Sequence, residues 1–298
     1  MNKKLILFLP LLSGIFWGAG GVFIRTLNNF GLDNISIFAT RVVLATILLF
    51  IGLILFNPKS LKIKLKDIWI FIGSGILGML LLNVCYNEAA FNLTLSLASV
   101  LLSIAPVFAI FMSAILFGEK ITKRKITCLI LAIIGCVLVS GIFESSVKLS
   151  TYGVLFGVLS AIFWALYGVF SRISTDKGYS TYTIIFYSFL FASLLLLPFT
   201  NWSMFIMFLQ TNPLTNIPIA FGHSIFTSIA PYVLFTVALK YIENGKATIL
   251  CSGAEPTSAT IFGLIIFLEI PTLLNILGII ITIIALSLLV YSKNEASH

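Results

Sequence analysis

Apolar residues run along this chain in long blocks divided by short polar loops. Ten blocks stand out, at about 5–24, 35–56, 68–88, 93–117, 125–142, 153–172, 181–199, 217–239, 246–268 and 272–291. A helix crossing a bilayer needs about 20 mainly apolar residues. In lipid every backbone group must be bonded within the protein, which leaves helices as the natural form of such blocks. The pattern predicts an all-α integral membrane protein with ten transmembrane helices, five in each half. Composition agrees: 59% of the 298 residues are hydrophobic and 9% charged, with a mean hydropathy of +1.13. Soluble domains carry about a quarter charged residues, and little chain is left over for one.

The two halves repeat. Residues 14–25 read GIFWGAGGVFIR and residues 161–172 read AIFWALYGVFSR, identical at seven of twelve positions. A second match joins Ser103–Glu119 to Gly253–Glu269, sharing Pro106/Pro256, Ala109/Ala259, Ile115/Ile265, Phe117/Phe267 and Glu119/Glu269. Five spans is an odd number, so the second half must enter the membrane from the opposite face: the repeats are inverted. The expected organisation is a first repeat over 1–143, a short connecting loop at 144–152 and a second repeat over 153–298 with a short cytoplasmic tail.

Charge placement supports the inversion. Fifteen of the 18 lysines and arginines fall on the side of the N-terminus, among them Lys59, Lys62, Lys64, Lys66, Lys120, Lys123, Arg124 and Lys125. The other side has Arg25 and Lys148, and Arg41 lies within the second span. Cationic loops stay in the cytoplasm, so both termini are expected there, in a cell inner membrane. This distribution also argues against nucleic acid as the partner of the +8 net charge. Met1 to Lys4 before an apolar run, with Ala19-Gly20-Gly21 beyond, resembles a signal peptide, but the stretch is one copy of the repeat. The four cysteines, Cys85, Cys128, Cys136 and Cys251, all fall inside spans, with neither metal-ligand nor disulfide spacing.

Small residues and prolines mark the helices that must pack closely or bend. Gly14/Gly18 and Gly153/Gly157 put small faces on the first and sixth spans, suited to static packing and to sliding contacts alike. Pro106, Pro231 and Pro256 fall inside spans, where each removes a backbone donor. Pro106 and Pro256 are equivalent, and paired helix breaks point to the midplane site of inverted-repeat transporters.

Polar groups inside spans are costly, about 2.5–3.5 kcal/mol for a charge by insertion scales. Glu255 comes near the middle of span 9, directly before Pro256. It is a candidate site for a cation, a proton or a substrate ammonium; the alternative is a protonated carboxyl hydrogen-bonded in the packing. Arg41, about two turns into span 2, either offers a fork to a carboxylate or phosphate or snorkels outward. Glu88 is at the end of span 3, in a solvated or lid position or as a ligand. Asn83 and Tyr86, three apart, share a helical face. Trp17 and Trp164 are equivalent and deep, away from the interface where membrane tryptophans concentrate; each needs a partner for its N–H. Tyr232 joins them as a candidate wall of the cavity. His223, alone in span 8, is a structural hydrogen-bonding group or a proton relay. Arg41 faces Phe189 across the repeat, and Glu255 faces Ala105, so neither charge is duplicated.

No Walker loop, GxGxxG in context, HExxH or nucleophile elbow is present. That argues against an enzyme, leaves ATP drive unsupported and gives no reason to expect a cofactor or metal. The chain resembles the EamA-type transporters of the drug/metabolite transporter superfamily. The resemblance rests on Gly14, Trp17 and Gly18; Arg41; Pro106, Phe117, Gly118 and Glu119; and Glu255, Pro256 and Phe267 to Glu269. It departs at Tyr86-Asn87-Glu88-Ala89-Ala90. The resemblance implies two inverted five-helix repeats, alternating access between them, spans 5 and 10 at the periphery, and a monomer or weak homodimer. It further implies export of a small metabolite such as an amino acid or related zwitterion, with a proton or ion as coupling partner. A multidrug or toxic-compound exporter and an uptake exchanger are alternatives on the same fold; an intramembrane enzyme or lipid-pathway subunit is the alternative of another class.

Overall fold

The computed structural model describes residues 3–93, 95–139, 142–144, 150–268 and 270–290. These residues form ten helical rods, and no strand occurs among them. Eight rods are long and apolar enough to cross a membrane. They are span 1, Leu5–Asn29; span 2, Asn34–Phe56; span 3, Leu65–Ala90; span 4, ending in Val100–Phe117; span 6, Thr151–Asp176; span 7, Thr181–Phe199; span 8, Pro213–Ala238; and span 9, Asn244–Phe267. Span 5, Lys123–Val139, and span 10, Leu273–Val290, are shorter. Large apolar side chains such as Ile115, Leu264 and Ile283 cover the outside. A soluble protein could not leave that surface exposed; lipid takes it.

Equivalent spans share construction details that composition alone does not require. Spans 4 and 9 both end on a left-handed residue, Gly118 at φ 66° and Leu268 at φ 57°. In each the N–H of that residue closes the helix, onto the Ser113 carbonyl in one case and the Gly263 carbonyl in the other. Glycine takes this C-terminal position without steric cost, leucine does not. Spans 3 and 8 each contain a π-helical segment, Gly73–Leu81 and Ile225–Ile229, at matching places. Such segments widen a helix by one residue per turn and concentrate at functional sites.

Close approach is made by glycine. A Cβ on Gly14 would come 2.9 Å from Ala254 Cβ in span 9, and one on Gly18 would come 2.8 Å from the Ala259 nitrogen. In the other half, Gly153 and Gly157 bed against Asn92, Leu93 and Leu101 of spans 3 and 4. Spans 5 and 10 meet at Gly135 and Gly278, where a Cβ on Gly278 would lie 2.7 Å from the Gly135 carbonyl.

Two expectations need correction. Pro106 does follow a break, since span 4 stops at Leu102 and restarts at Ala105 with the proline in its first turn, where the missing N–H is no loss. Pro256, by contrast, sits inside a continuous helix, Asn244–Phe267, so it breaks nothing. The carbonyl it strips of a donor, that of Ser252, is taken by Cys136 Sγ at 3.7 Å. The connection between spans 7 and 8 is also not a plain loop. Trp202–Thr211 is a helix capped by Asn201, with Phe205 and Phe208 buried against Leu27, Leu32 and Ile37. Glu269, Lys148 and most of the 144–152 connection lie outside the described residues.

Candidate functional site

Span 1 carries small residues on one face and Trp17 on the next, so its seam with span 9 brings the indole to the centre of the protein. There the Trp17 and Trp164 rings meet edge to face, with centroids 4.9 Å apart and planes at 86°. Tyr232 packs edge-on to Trp17 at 5.0 Å and to Tyr167 at 5.0 Å. Tyr167 stacks on Trp164 at 5.6 Å, and Phe235 closes the cluster 5.1 Å from Trp164. Aromatic rings favour these edge and offset geometries because their faces are negative and their rims positive. Trp17, Trp164 and Tyr232 are thus brought together as expected. Tyr167 and Phe235 complete the cluster, and the sequence does not single out either, since an aromatic residue inside an apolar span carries no mark of depth.

The Trp17 indole N–H donates to the Thr227 carbonyl, 3.1 Å away in the π-helical turn of span 8. Arg41 reaches the same carbonyl from span 2, with Nη1 at 3.4 Å, while its Nη2 donates to Asn83 Oδ1 at 3.4 Å. Asn83 is itself fixed by a bond from Nδ2 to the Met79 carbonyl, 2.8 Å away, within the π segment of span 3. The guanidinium therefore bridges the two equivalent π segments and lies over the Phe38 ring at 5.0 Å. Its Nε is buried with no partner. Arg41 is turned into the protein and does not snorkel.

Glu255 is half-buried on span 9, beside the span 1 seam. It interacts electrostatically with Arg41 and with Tyr232, yet forms no direct ion pair with the guanidinium. The guanidinium and the Glu255 carboxyl thus lie within electrostatic reach of each other and of Tyr232 without direct contact. Tyr86 is half-buried one turn beyond Asn83 on span 3. Glu88 is half-buried too, and among the described residues no ion pair joins it to Arg41. His223 is 1% exposed, stacks on Phe23 at 5.5 Å, and its Nε2 has no partner. Among the described residues no group of His, Cys, Asp and Glu could hold a metal, and the four cysteines are free.

The lysine-rich end of the bundle is sewn together by charge. Glu119 Oε1 accepts the backbone N–H of Asn244 at 3.2 Å, joining the end of span 4 to the start of span 9. Lys125 ion-pairs with Glu243 and donates to the Lys120 carbonyl at 2.8 Å. Arg172 donates to the Leu239 carbonyl at 2.8 Å, and Lys177 pairs with Asp67 at 2.6 Å. Burial, reinforced by the nearby Glu243 charge, holds the Glu119 carboxyl above the usual range, against the pull of the Asn244 N–H, Lys125 and Arg172. At the opposite end Asp33 caps span 2, accepting from the Ser36 N–H at 2.9 Å and from its hydroxyl at 2.7 Å. Burial there works upward, but the Ser36 bonds, together with the backbone groups of Asp33 and Ile35, outweigh it and lower the Asp33 carboxyl.

Known proteins match along nearly the whole chain. The profile of the EamA-like transporter family fits residues 4–141 and again residues 151–291. An uncharacterized transporter of Archaeoglobus fulgidus is 28% identical over 268 residues, covering 90% of both chains. The pseudopaline exporter CntI of Pseudomonas aeruginosa is 30% identical over 167 residues, 56% of each chain. A solved crystal structure superposes with a TM-score of 0.75 over 96% of each chain at 15% identity, a likeness of fold alone.

Proposed function

The chain belongs to the EamA-like transporter family, and from that premise we propose that it exports a small zwitterionic metabolite, such as an amino acid, by alternating access. The observation that carries this reading is that Arg41 and Glu255 lie within electrostatic reach of each other and of Tyr232 with no ion pair between them. A substrate carboxylate would take the guanidinium, an ammonium group would take Glu255, and the apolar part would pack on Trp17, Trp164 and Tyr232. Hydrogen bonds to charged groups contribute about 1.5–3 kcal/mol each, so the two together correspond to an affinity of millimolar to tens of micromolar. Asn83 and Tyr86 would extend the polar side of the site, with Glu88 near its mouth.

The lysine-rich end would face the cytoplasm, in the inner membrane of a cell, with both termini inside and the protein acting as a monomer or weak homodimer. The two repeats, 1–143 and 153–298, would rock about the central site, and a proton or ion gradient would supply the drive. Export as the direction is supported by the Pseudomonas relative, a pseudopaline exporter. The aromatic wall equally suits a drug-like compound, which keeps the multidrug reading as an outcome of the test.

The test is counterflow in proteoliposomes, with hits first found by comparing metabolites of cells with and without the gene. Glu255→Gln and Glu255→Ala should both lose transport; undiminished transport in both would remove Glu255 from the mechanism. Unchanged affinity for an anionic substrate in Arg41→Ala would remove Arg41. Chemical turnover without translocation would favour an enzyme instead.

A further inference from the structure

We propose that Pro231 is a positioning residue for this site: by withholding a backbone N–H it leaves the Thr227 carbonyl free to hold both Arg41 and Trp17. The inference rests on the reading of those two residues as substrate-binding. Pro231 stands in the first turn of the α-helix that resumes at Ala230, where an N–H at residue 231 would reach back to the carbonyl of residue 227 in α register, and proline has none. The π-helical turn Ile225–Ile229 ends just before it, and the helix resumes at Ala230. The Thr227 hydroxyl is directed elsewhere, to the His223 carbonyl at 2.6 Å. The released carbonyl receives two donors from the other half of the protein, Trp17 Nε1 at 3.1 Å and Arg41 Nη1 at 3.4 Å.

The same turn is fastened on both sides of Thr227. Ser224 Oγ donates to the Arg41 carbonyl at 2.8 Å, and Ser13 Oγ donates to the Pro231 carbonyl at 2.8 Å. Spans 1 and 2 are thereby registered against one point of span 8, so the carbonyl meets the guanidinium and the indole together. Pro256 shows that a proline alone is not sufficient, since the carbonyl it frees takes only the weak thiol donor of Cys136. Span 3 holds Arg41 by another means, because no proline lies in Gly73–Leu81 and the Asn83 side chain serves there. An N–H restored at position 231 would compete for the Thr227 carbonyl, loosening both donors in surroundings where they have few other acceptors.

The experiment uses the full chain with Pro231→Ala and Pro231→Gly, each of which restores the donor; two variants guard against one failing to fold. The first readout needs no substrate: the nitrogen-15 indole resonance of Trp17, assigned with Trp17→Phe. It should shift, and its proton should exchange faster, in both variants. Pro218→Ala, an exposed proline in the same span, should leave it unmoved. The second readout is counterflow of a radiolabelled L-amino-acid mixture. KM should rise about tenfold with maximal rate little changed, and Pro231→Ala should add less in an Arg41→Ala background than it does alone. An unmoved Trp17 resonance, an equal shift in Pro218→Ala, or a KM effect additive with Arg41→Ala would overturn the proposal. A KM indifferent to Arg41→Ala would instead overturn the reading of the site, and the Trp17 resonance would still decide whether Pro231 positions the indole.

Discussion

Trp17 and Trp164, equivalent residues of the two repeats, touch each other edge to face at 4.9 Å. Residues related by an internal two-fold meet only near its axis, so this contact marks the axis that relates the two halves. Edge-to-face pairs contribute about 0.5–1.5 kcal/mol beyond their burial. Trp17→Phe should keep most of that while losing the bond to Thr227, about 1 kcal/mol. Trp17→Ala should cost about 3 kcal/mol. Thermal unfolding in detergent, with the matching Trp164 variants as a double-mutant cycle, checks both; full additivity would mean the rings do not couple.

Leu268 adopts the left-handed turn that Gly118 adopts in the other repeat. A side chain there costs about 1–2 kcal/mol, and Leu268 is 80% exposed, so little packing opposes its removal. Leu268→Gly should therefore stabilise the protein by about 1 kcal/mol, read as a higher unfolding temperature, whereas Gly118→Leu should lower it.

The seam between spans 1 and 9 depends on absent side chains. Any Cβ on Gly18 meets the backbone of Glu255 and Ala259, which cannot yield as a flexible side chain could. Gly18→Leu should abolish a monodisperse folded species on size exclusion, while Gly21→Ala, with open space around it, should be accepted.

Glu119 gives stability a pH dependence of known sign. Its carboxyl is held above the ordinary value of 4.5 in the folded state, mainly by burial, so the folded protein binds a proton more readily than the unfolded chain. The ionised group costs stability above its folded pKa, and that cost is relieved as pH falls through the folded pKa towards 4.5. Glu119→Gln should flatten this rise in unfolding temperature on acidification. An unaltered profile would assign the effect to another group.

The ten spans and the paired tryptophans were legible because a bilayer fixes helix length and a repeat fixes equivalence. The short helix Trp202–Thr211 was also written in the chain, as Asn201 followed by aromatics at 202, 205 and 208, but it is too short to span and so reads as loop. Pro256 shows why a helix breaker is not always a break: the Cys136 thiol substitutes for the lost donor. The π-helical turns had no signal of their own, since their residues are those of any apolar helix. What decides them is tertiary, as where Gly75 and Gly78 lie against Ser188 and Tyr167. Arg41 could be assigned a depth from sequence but not a partner, because one of its partners is a backbone carbonyl 186 residues away. No residue type announces such an acceptor.

Phe189, fully enclosed and 5.3 Å from Tyr232, stands where the second repeat's counterpart of Arg41 would be, and buried Ala105 stands opposite Glu255. Two identical half-length chains assembled head to tail would carry each charge twice, burying a second guanidinium and a second carboxylate at a cost of several kcal/mol per ion. One-sided charges in a symmetric frame are open only to halves that can mutate independently. Carrying both repeats in one polypeptide leaves the two positions of each pair free to differ, so a symmetric frame can hold a polarised centre with one charge of each sign.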